Sequence, residues 1–130
     1  MQYVGPKVGT LCTGLAASGA SILLAGGAHG MRMSLPHAQI LIHQPFTQGI
    51  QGQATDIQIH AQEILRQRQQ VARLYAKHCE RPLEDVERAM ERDFFMTPEQ
   101  AKDWGLLDLI VEHNPAANNR QAQTSTPARV

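Results

Sequence analysis

Ser18 is the side chain whose surroundings best fit a nucleophile. It lies within residues 14–21, where an extended apolar run at 8–13 gives way to a predicted small-residue helix at 20–25. Small neighbours leave the hydroxyl open to approach, and a helix start offers free backbone N–H groups and a positive dipole end. A serine that attacks a carbonyl needs such donors, because an oxyanion forms. Ala/Gly/Ser runs more often reflect close packing, so Ser18 alone does not establish catalysis.

His43 is the candidate general base. It ends the apolar run 40–42 and precedes Gln44 and Pro45, which predicts a position at the carboxyl edge of a parallel strand. Open α/β sheets bind their ligands at that edge, and an imidazole titrates near neutral pH, as a general base requires. The other histidines are His29, His37, His60, His78 and His113. None has zinc-site spacing with a third ligand nearby, so we expect no metal site.

Asp93 is the leading candidate for the carboxylate that such a base needs to fix its tautomer. It lies at a predicted turn between two helices, beside Phe94 and Phe95, which we expect to limit its exposure to water. Three other aspartates fit helix or strand patterns and are interpreted as solvated or capping residues: Asp85, Asp103 and Asp108.

The elements that must position these residues alternate between strand and helix. Residues 11–13 and 39–43 are predicted strands, and residues 21–25 are a predicted short helix closed by Gly26 and Gly27. Strand, helix and strand at this spacing predict a βαβ unit with a parallel sheet. The fold class is therefore α/β.

Residues 53–81 contain neither Gly nor Pro and predict one long helix. Thr55 and Gln58 form a predicted capping box at its start, and Pro82 follows its end. Its apolar stripe consists of Ile57, Ala61, Ile64, Val71, Tyr75 and Cys79. A helix of about 26 residues is about 39 Å long, wider than a small domain. We expect an overhanging part that needs a partner, hence self-association; the alternative is a helix packed entirely on its own domain.

The remaining elements are shorter. A helix is predicted at 82–90, then a turn at 91–93, a helix capped by Thr97 that ends at Gly105, and a strand at 106–111.

The composition predicts one domain, residues 1–113, and a disordered tail at 114–130 that has almost no large apolar residue. The charges balance at 12 basic and 12 acidic residues, which argues against a nucleic-acid or anionic-lipid partner. Cys12 and Cys79 are too few for a disulfide framework, so reduced thiols are expected. No apolar stretch reaches membrane-spanning length. We expect a cytoplasmic protein without a membrane segment.

Several segments in order resemble the proteolytic subunit of the Clp protease family, over residues 1 to about 113. They are the residues 16–18, 41–45, 51–57, 91–93 and 105–108. The resemblance implies a crotonase-like ββα spiral with a projecting "handle" helix at about 55–79. It also implies that Ser18 is the nucleophile, His43 the general base and Asp93 its orienting group, with the Gly19 amide as an oxyanion donor.

The resemblance further implies an assembly and its partners. Family members form heptameric rings stacked in pairs, so a homo-oligomer or a hetero-oligomer with related subunits is expected. An unfoldase ATPase of the AAA+ class would use ATP and supply unfolded proteins, and this chain would need no cofactor. Gly52, Gln53 and Arg92 correspond to contacts between the family's rings.

Two departures from the family pattern keep alternatives open. Gly19 stands where the family carries a larger residue, often Met, and nearby Ser21 remains an alternative nucleophile. Met1 corresponds to an interior point of the family's sequence. The N-terminal part of the family, which includes a second oxyanion donor, is therefore expected to be missing from this chain. Loss of one oxyanion donor lowers the rate by about 10²–10³-fold. The alternatives are a truncated non-catalytic assembly or regulatory subunit and, more weakly, an acyl-CoA hydratase or isomerase.

Overall fold

A computed structural model describes residues 1–112 of the chain, and these form a mixed α/β structure. The strands are β1 (Thr10–Cys12), β2 (Leu15–Ala17), β3 (Arg32–Ser34), β4 (Gln39–Ile42), β5 (Phe94–Met96) and β6 (Leu109–Ile110). The helices are α1 (Gly19–Ala25), α2 (Ala54–Cys79), α3 (Leu83–Ala89) and α4 (Pro98–Trp104). The predicted tail at 114–130 and His113 lie outside the described residues. No helix within residues 1–112 is both long and apolar enough to cross a membrane.

The strands form two three-stranded sheets. One has the order β1-β3-β6, with both pairs parallel. The other has the order β2-β4-β5, with β2 parallel and β5 antiparallel to β4. Helix α1 contacts strands of both sheets. β1 and β2 are edge strands, and their side chains Leu11 and Leu15 are exposed.

The predicted βαβ unit is present, but its first strand was assigned wrongly. The strand predicted at 11–13 corresponds to β1, which pairs with β3 in the other sheet. The parallel partner of β4 is β2, a Leu-Ala-Ala segment that the sequence analysis did not identify as a strand. Alanine has low β-propensity, and burial of Ala16 in the core decides its conformation instead.

Helix α2 divides into an exposed N-terminal part and a buried C-terminal part. All residues from 54 to 62 are exposed, including Ile57 and Ala61 of the predicted stripe. Of the stripe, only Tyr75 and Cys79 near its end are buried, together with Ala72, which the stripe did not include. The alternative of a helix packed along its whole length on its own domain is therefore wrong, and the expected overhanging part agrees with this exposure.

Capping boxes were predicted at the starts of α2 and α4, and one of the two predictions is confirmed. The predicted capping box of Thr55 and Gln58 is wrong, because α2 begins earlier and the Gln53 N–H donates to Asp56 Oδ2 at 3.2 Å. The box at the start of α4 is confirmed: the Gln100 N–H donates to Thr97 Oγ1 at 3.3 Å, and the Thr97 N–H donates to Gln100 Oε1 at 2.9 Å.

Gly105 ends α4 as predicted, and its position requires glycine. Its φ is 94°, and an added Cβ would lie 2.7 Å from the carbonyl oxygen of Cys79. The strand predicted at 106–111 is shorter than expected, because Leu106 and Leu107 are buried in the core and only Leu109–Ile110 pairs with β3.

A buried ion pair joins β3 to the segment before β6. Arg32 is 4% exposed, and its Nε donates to Asp108 Oδ2 at 2.9 Å. Its Nη1 donates to the carbonyl oxygens of His78 and Gly105, both at 2.8 Å. Asp108 also accepts from the Gly30 N–H at 2.8 Å. The interpretation of Asp108 as a solvated or capping residue is therefore wrong, since this carboxylate fixes a buried guanidinium.

Candidate active site

Ser18 and His43 follow two neighbouring parallel strands. Ala17 ends β2 opposite Leu41 of β4, and the Ser18 N–H donates to the Leu41 carbonyl at 3.2 Å. β4 continues one residue further and ends at Ile42. Because carboxyl ends of parallel strands share one edge of a sheet, Ser18 and His43 lie at the same edge.

Asp93 reaches this edge on the other side of His43. β5 is antiparallel to β4, with Ile42 opposite Phe94. Continuing the register by one residue brings Asp93, which precedes Phe94, opposite His43. The middle strand therefore carries His43, with Ser18 on one flank and Asp93 on the other.

An open cleft of about 480 Å³ lies between His43 and Asp93. Its lining residues are His43, Gln44, Phe46, Met90, Glu91, Arg92 and Asp93. Gln44 joins its two sides, since its N–H donates to the Met90 carbonyl and its Nε2 to the Glu91 carbonyl, each at 3.0 Å. The cleft is thus built from two chain segments fixed to each other.

The His43 ring has a main-chain partner in this conformation. Its Nδ1 lies 2.7 Å from the Gln44 carbonyl oxygen, and its ring centroid is 5.7 Å from that of Phe46. Among the side-chain hydrogen bonds of residues 1–112, none joins His43 to Ser18 or to Asp93. The three residues share an edge, and within residues 1–112 no hydrogen bond joins their side chains.

Asp93 is more exposed than the sequence analysis predicted. Its side chain was expected to be shielded by the two phenylalanines that follow, yet Asp93 is exposed and Phe95 is 51% exposed. Successive residues of a strand face opposite sides, so only Phe94 turns toward the core. The predicted shielding is wrong.

The backbone of Ser18 is strained. Its φ is 54° and its ψ is −121°, a conformation that L-residues rarely adopt and that costs about 1–3 kcal/mol. It joins β2 to α1 and leaves the Ser18 side chain exposed. A sharp strand-to-helix turn that exposes a serine hydroxyl is the arrangement found at the nucleophile of α/β-hydrolases. The strain was not predicted from the sequence, in which its only signal is the surrounding small residues.

Gly19 offers a free backbone donor beside the Ser18 hydroxyl. It is the first residue of α1, it is exposed, and a Cβ added to it would meet no atom within 4 Å. None of the hydrogen bonds found within residues 1–112 uses the Gly19 N–H. This amide is therefore available to a developing negative charge.

Ser21, the alternative nucleophile, is fully buried. Its Oγ lies 2.7 Å from the Ser18 carbonyl, 2.9 Å from the Leu41 carbonyl and 2.7 Å from Tyr75 Oη. A hydroxyl enclosed by three oxygens cannot meet a peptide substrate. The geometry thus favours Ser18 over Ser21.

Comparison with known families shows to which family the chain belongs. A family model described as Clp protease matches residues 1–114, most of the 130-residue chain. The chain belongs to the Clp protease family. Membership supports a peptidase function and, in general terms, an oligomeric assembly that works with unfoldase partners.

The three ring-contact residues predicted for this Clp protease chain are all on its surface. Gly52 and Gln53 immediately precede α2, and Arg92 lies beside Asp93 at the cleft; all three are exposed. Within residues 1–112, no three His, Cys, Asp or Glu side chains lie close enough together to hold a metal ion.

Proposed function

We propose that this chain is a serine-type endopeptidase subunit of a Clp protease, with Ser18 as nucleophile, His43 as general base and Asp93 as the group that orients His43. The observation that carries this proposal is the strand register of β2, β4 and β5, in which serine, histidine and aspartate follow one another across a single sheet edge. Geometry and roles define such a triad, whatever the order of its members along the chain.

The reaction is acyl transfer to water. Ser18 Oγ bonds to the peptide carbonyl carbon as its proton passes to His43, and the Gly19 N–H donates to the oxyanion. The C–N bond then breaks, and His43 gives its proton to the leaving amine. Water, deprotonated by His43, attacks the acyl-serine ester; the proton returns to Ser18 as the peptide acid leaves.

This chemistry requires the His43 ring to turn. In the described conformation Nδ1 faces the Gln44 carbonyl, whereas a working base presents one ring nitrogen to Asp93 and the other to Ser18. Catalytic hydrogen bonds often form only once substrate is bound. Substrate in the cleft would exclude water and favour the turned ring.

The biological setting follows from the family. Unfolded proteins would be cut to short peptides inside an oligomeric chamber of stacked rings, supplied by an AAA+ unfoldase that uses ATP, in the cytoplasm. The subunit would adopt the crotonase-like spiral, with α2 as its handle and Gly52, Gln53 and Arg92 at contacts between rings. The exposed, partly apolar N-terminal part of α2 supports a role in assembly.

A fluorophosphonate probe tests the catalytic assignment, because it reacts with activated serines. The full chain should form one covalent adduct, located by peptide mass spectrometry at Ser18. Ser18→Ala should abolish the adduct, His43→Gln should slow it by several orders of magnitude, and Ser34→Ala, which removes a hydroxyl from the other sheet, should leave it unchanged. Labelling of Ser18→Ala at the wild-type rate would contradict the proposal.

A second candidate is a non-catalytic assembly subunit of the same complex. The absence of side-chain hydrogen bonds among the three site residues within residues 1–112 favours it. A folded wild-type chain that forms no adduct, cleaves no unfolded protein and still joins a complete homologue would establish this role instead.

A further inference from the structure

Two buried hydroxyl groups lie directly beneath the Ser18 turn. Ser21 on α1 and Tyr75 on α2 are 0% and 1% exposed, and their oxygens are 2.7 Å apart. Ser21 Oγ also lies 2.7 Å from the Ser18 carbonyl and 2.9 Å from the Leu41 carbonyl. Tyr75 Oη is 3.4 Å from the same Ser18 carbonyl. The pair connects the nucleophile turn, β4 and the long helix.

The two hydroxyls have one hydrogen each, and their possible acceptors are the Ser18 carbonyl, the Leu41 carbonyl and each other's oxygen. Ser21 donates to one carbonyl while Tyr75 donates to Ser21 Oγ or to the Ser18 carbonyl. Burial raises the pKa of Tyr75 to about 12, so its hydroxyl stays protonated at neutral pH and remains a donor. The network therefore keeps both hydrogens over the pH range in which a histidine base works.

These contacts hold the main chain on both sides of the strained residue. Ser21 Oγ can donate its one hydrogen to the Ser18 carbonyl or to the Leu41 carbonyl. The Leu41 carbonyl accepts the Ser18 N–H and lies two residues before His43. A strained backbone persists only where its surroundings over-determine it. Ser21 supplies such a constraint in either case, at the Ser18 carbonyl itself or at the Leu41 carbonyl to which the Ser18 N–H donates.

We infer that Ser21 and Tyr75 are positioning residues for Ser18: their hydroxyl pair holds the positive-φ turn in the conformation that exposes the nucleophile. The catalytic relevance of this inference rests on the proposed function. Neither hydroxyl touches the substrate or exchanges a proton with it. Tyr75 acts through Ser21, so the Ser21 hydroxyl is the principal element.

Ser34 provides a matched control for a role in packing alone. It is also 0% exposed, and its hydroxyl donates to the Leu35 carbonyl at 3.1 Å. It lies on β3, in the sheet that does not carry Ser18. Removal of the Ser34 hydroxyl therefore tests the cost of losing a buried serine without touching the turn.

The experiment compares the full wild-type chain with Ser21→Ala, Tyr75→Phe, the double variant and Ser34→Ala. Hydrogen-exchange mass spectrometry measures the exchange rates of the amides of residues 18–22 at a temperature well below the thermal unfolding midpoint. Fluorophosphonate labelling of Ser18 is followed as a rate against pH. Loss of a buried hydrogen bond of ordinary strength corresponds to about tenfold in a rate or equilibrium.

We expect Ser21→Ala to speed exchange at residues 18–22 and to slow labelling, each about tenfold, without moving the pH midpoint of labelling, because the base is unchanged. Tyr75→Phe should have a smaller effect in the same direction. The double variant should be no worse than Ser21→Ala, since the two hydroxyls act as one unit. Ser34→Ala should leave both measurements at wild-type values.

Equal exchange at residues 18–22 in Ser21→Ala and wild type, or equal acceleration in Ser21→Ala and Ser34→Ala, would overturn the inference. Should Ser21→Ala fail to fold, Tyr75→Phe, which keeps the aromatic ring, decides by the same two measurements. A wild-type chain that is not labelled removes the proposed function alone, because hydrogen exchange still decides whether the hydroxyl pair holds the turn.

Discussion

The two sheets of this chain differ in the burial of their polar groups. The β1-β3-β6 sheet contains the Arg32–Asp108 ion pair, in which the buried guanidinium also meets the carbonyls of His78 and Gly105. The β2-β4-β5 sheet ends in a strained, exposed Ser18 and an open cleft between His43 and Asp93. One sheet pairs its charged groups internally, and the other leaves polar groups exposed at one edge.

We infer from this difference that the first sheet contributes mainly to stability and the edge of the second sheet mainly to reactivity. The ion pair ties β3, the end of α2, the end of α4 and the start of β6 to one another, so its loss should be felt throughout the fold. The Ser18 turn costs free energy locally and depends on its neighbours to maintain it. Substitutions in the first sheet should therefore change unfolding, and substitutions at the edge of the second should change chemistry.

Asp108→Ala should give the largest effect on stability. It leaves the Arg32 guanidinium buried without its carboxylate, and removal of one partner of a buried pair costs about 3–5 kcal/mol. The free energy of unfolding, measured by urea titration, should fall by that amount.

Asp85→Ala is the matched control. Asp85 also pairs with an arginine, Arg88, at 3.5 Å, but the Arg88 side chain is 77% exposed. Its removal should leave the urea midpoint nearly unchanged. An equal loss of unfolding free energy in Asp108→Ala and Asp85→Ala would show that burial of the Arg32 pair does not increase its contribution to stability.

Acid should weaken the same sheet. The hydrogen bond from Arg32 lowers the pKa of Asp108 to about 2, below its unfolded value near 4. A carboxyl whose folded pKa is depressed stabilises the fold above its unfolded pKa. That stabilisation is lost as the pH falls from about 4 to about 2. The unfolding free energy of the wild type should decline in this window, and the decline should be shallower in Asp108→Asn.

Glu63→Gln gives the corresponding control on the long helix. The pKa of Glu63 is also lowered to about 2, by its hydrogen bond with Arg66, but this pair lies on an exposed surface where water screens it. Its acid profile should match that of the wild type. A flattened profile in Glu63→Gln would place the acid sensitivity on α2 instead.

Ser18→Gly should change stability less than Asp108→Ala does and should abolish labelling. Glycine adopts φ near 54° without steric cost, so removing the strain should stabilise the chain by about 1 kcal/mol. Ser18→Ala also lacks the hydroxyl but retains the Cβ, and should show no such gain. Thermal unfolding of the two variants side by side isolates the strain. A lower midpoint for Ser18→Gly than for Ser18→Ala would contradict it.

The sequence predicted local elements around the candidate site better than it predicted contacts between distant segments. The position of His43 after a strand and of Ser18 before a helix could be predicted because strand ends and small-residue runs are local patterns. The Thr97–Gln100 box could be predicted because its two halves lie in one turn. Asp93 was chosen from its turn. The register of β5 against β4, which brings it opposite His43, depends on pairing between segments about 50 residues apart.

The errors also have a common physical origin. Asp108 was interpreted as solvated because its partner Arg32 is 76 residues away, and no local pattern signals that contact. β2 was missed because Leu-Ala-Ala has no strong strand preference, and the apolar stripe of α2 was extended over Ile57 because periodicity does not indicate where a packing partner ends. Side-chain burial between distant segments decided each case.

Two of the four edge strands of the described sheets, β1 and β2, have a practical consequence for work with this protein. Among the described residues, β1 and β2 each pair on one side only, and exposed Leu11 and Leu15 lie along them. Such edges are templates for strand addition from neighbouring molecules. The formal net charge of the chain is zero, so long-range repulsion does not oppose this association. We therefore expect these edges to promote association at high protein concentration.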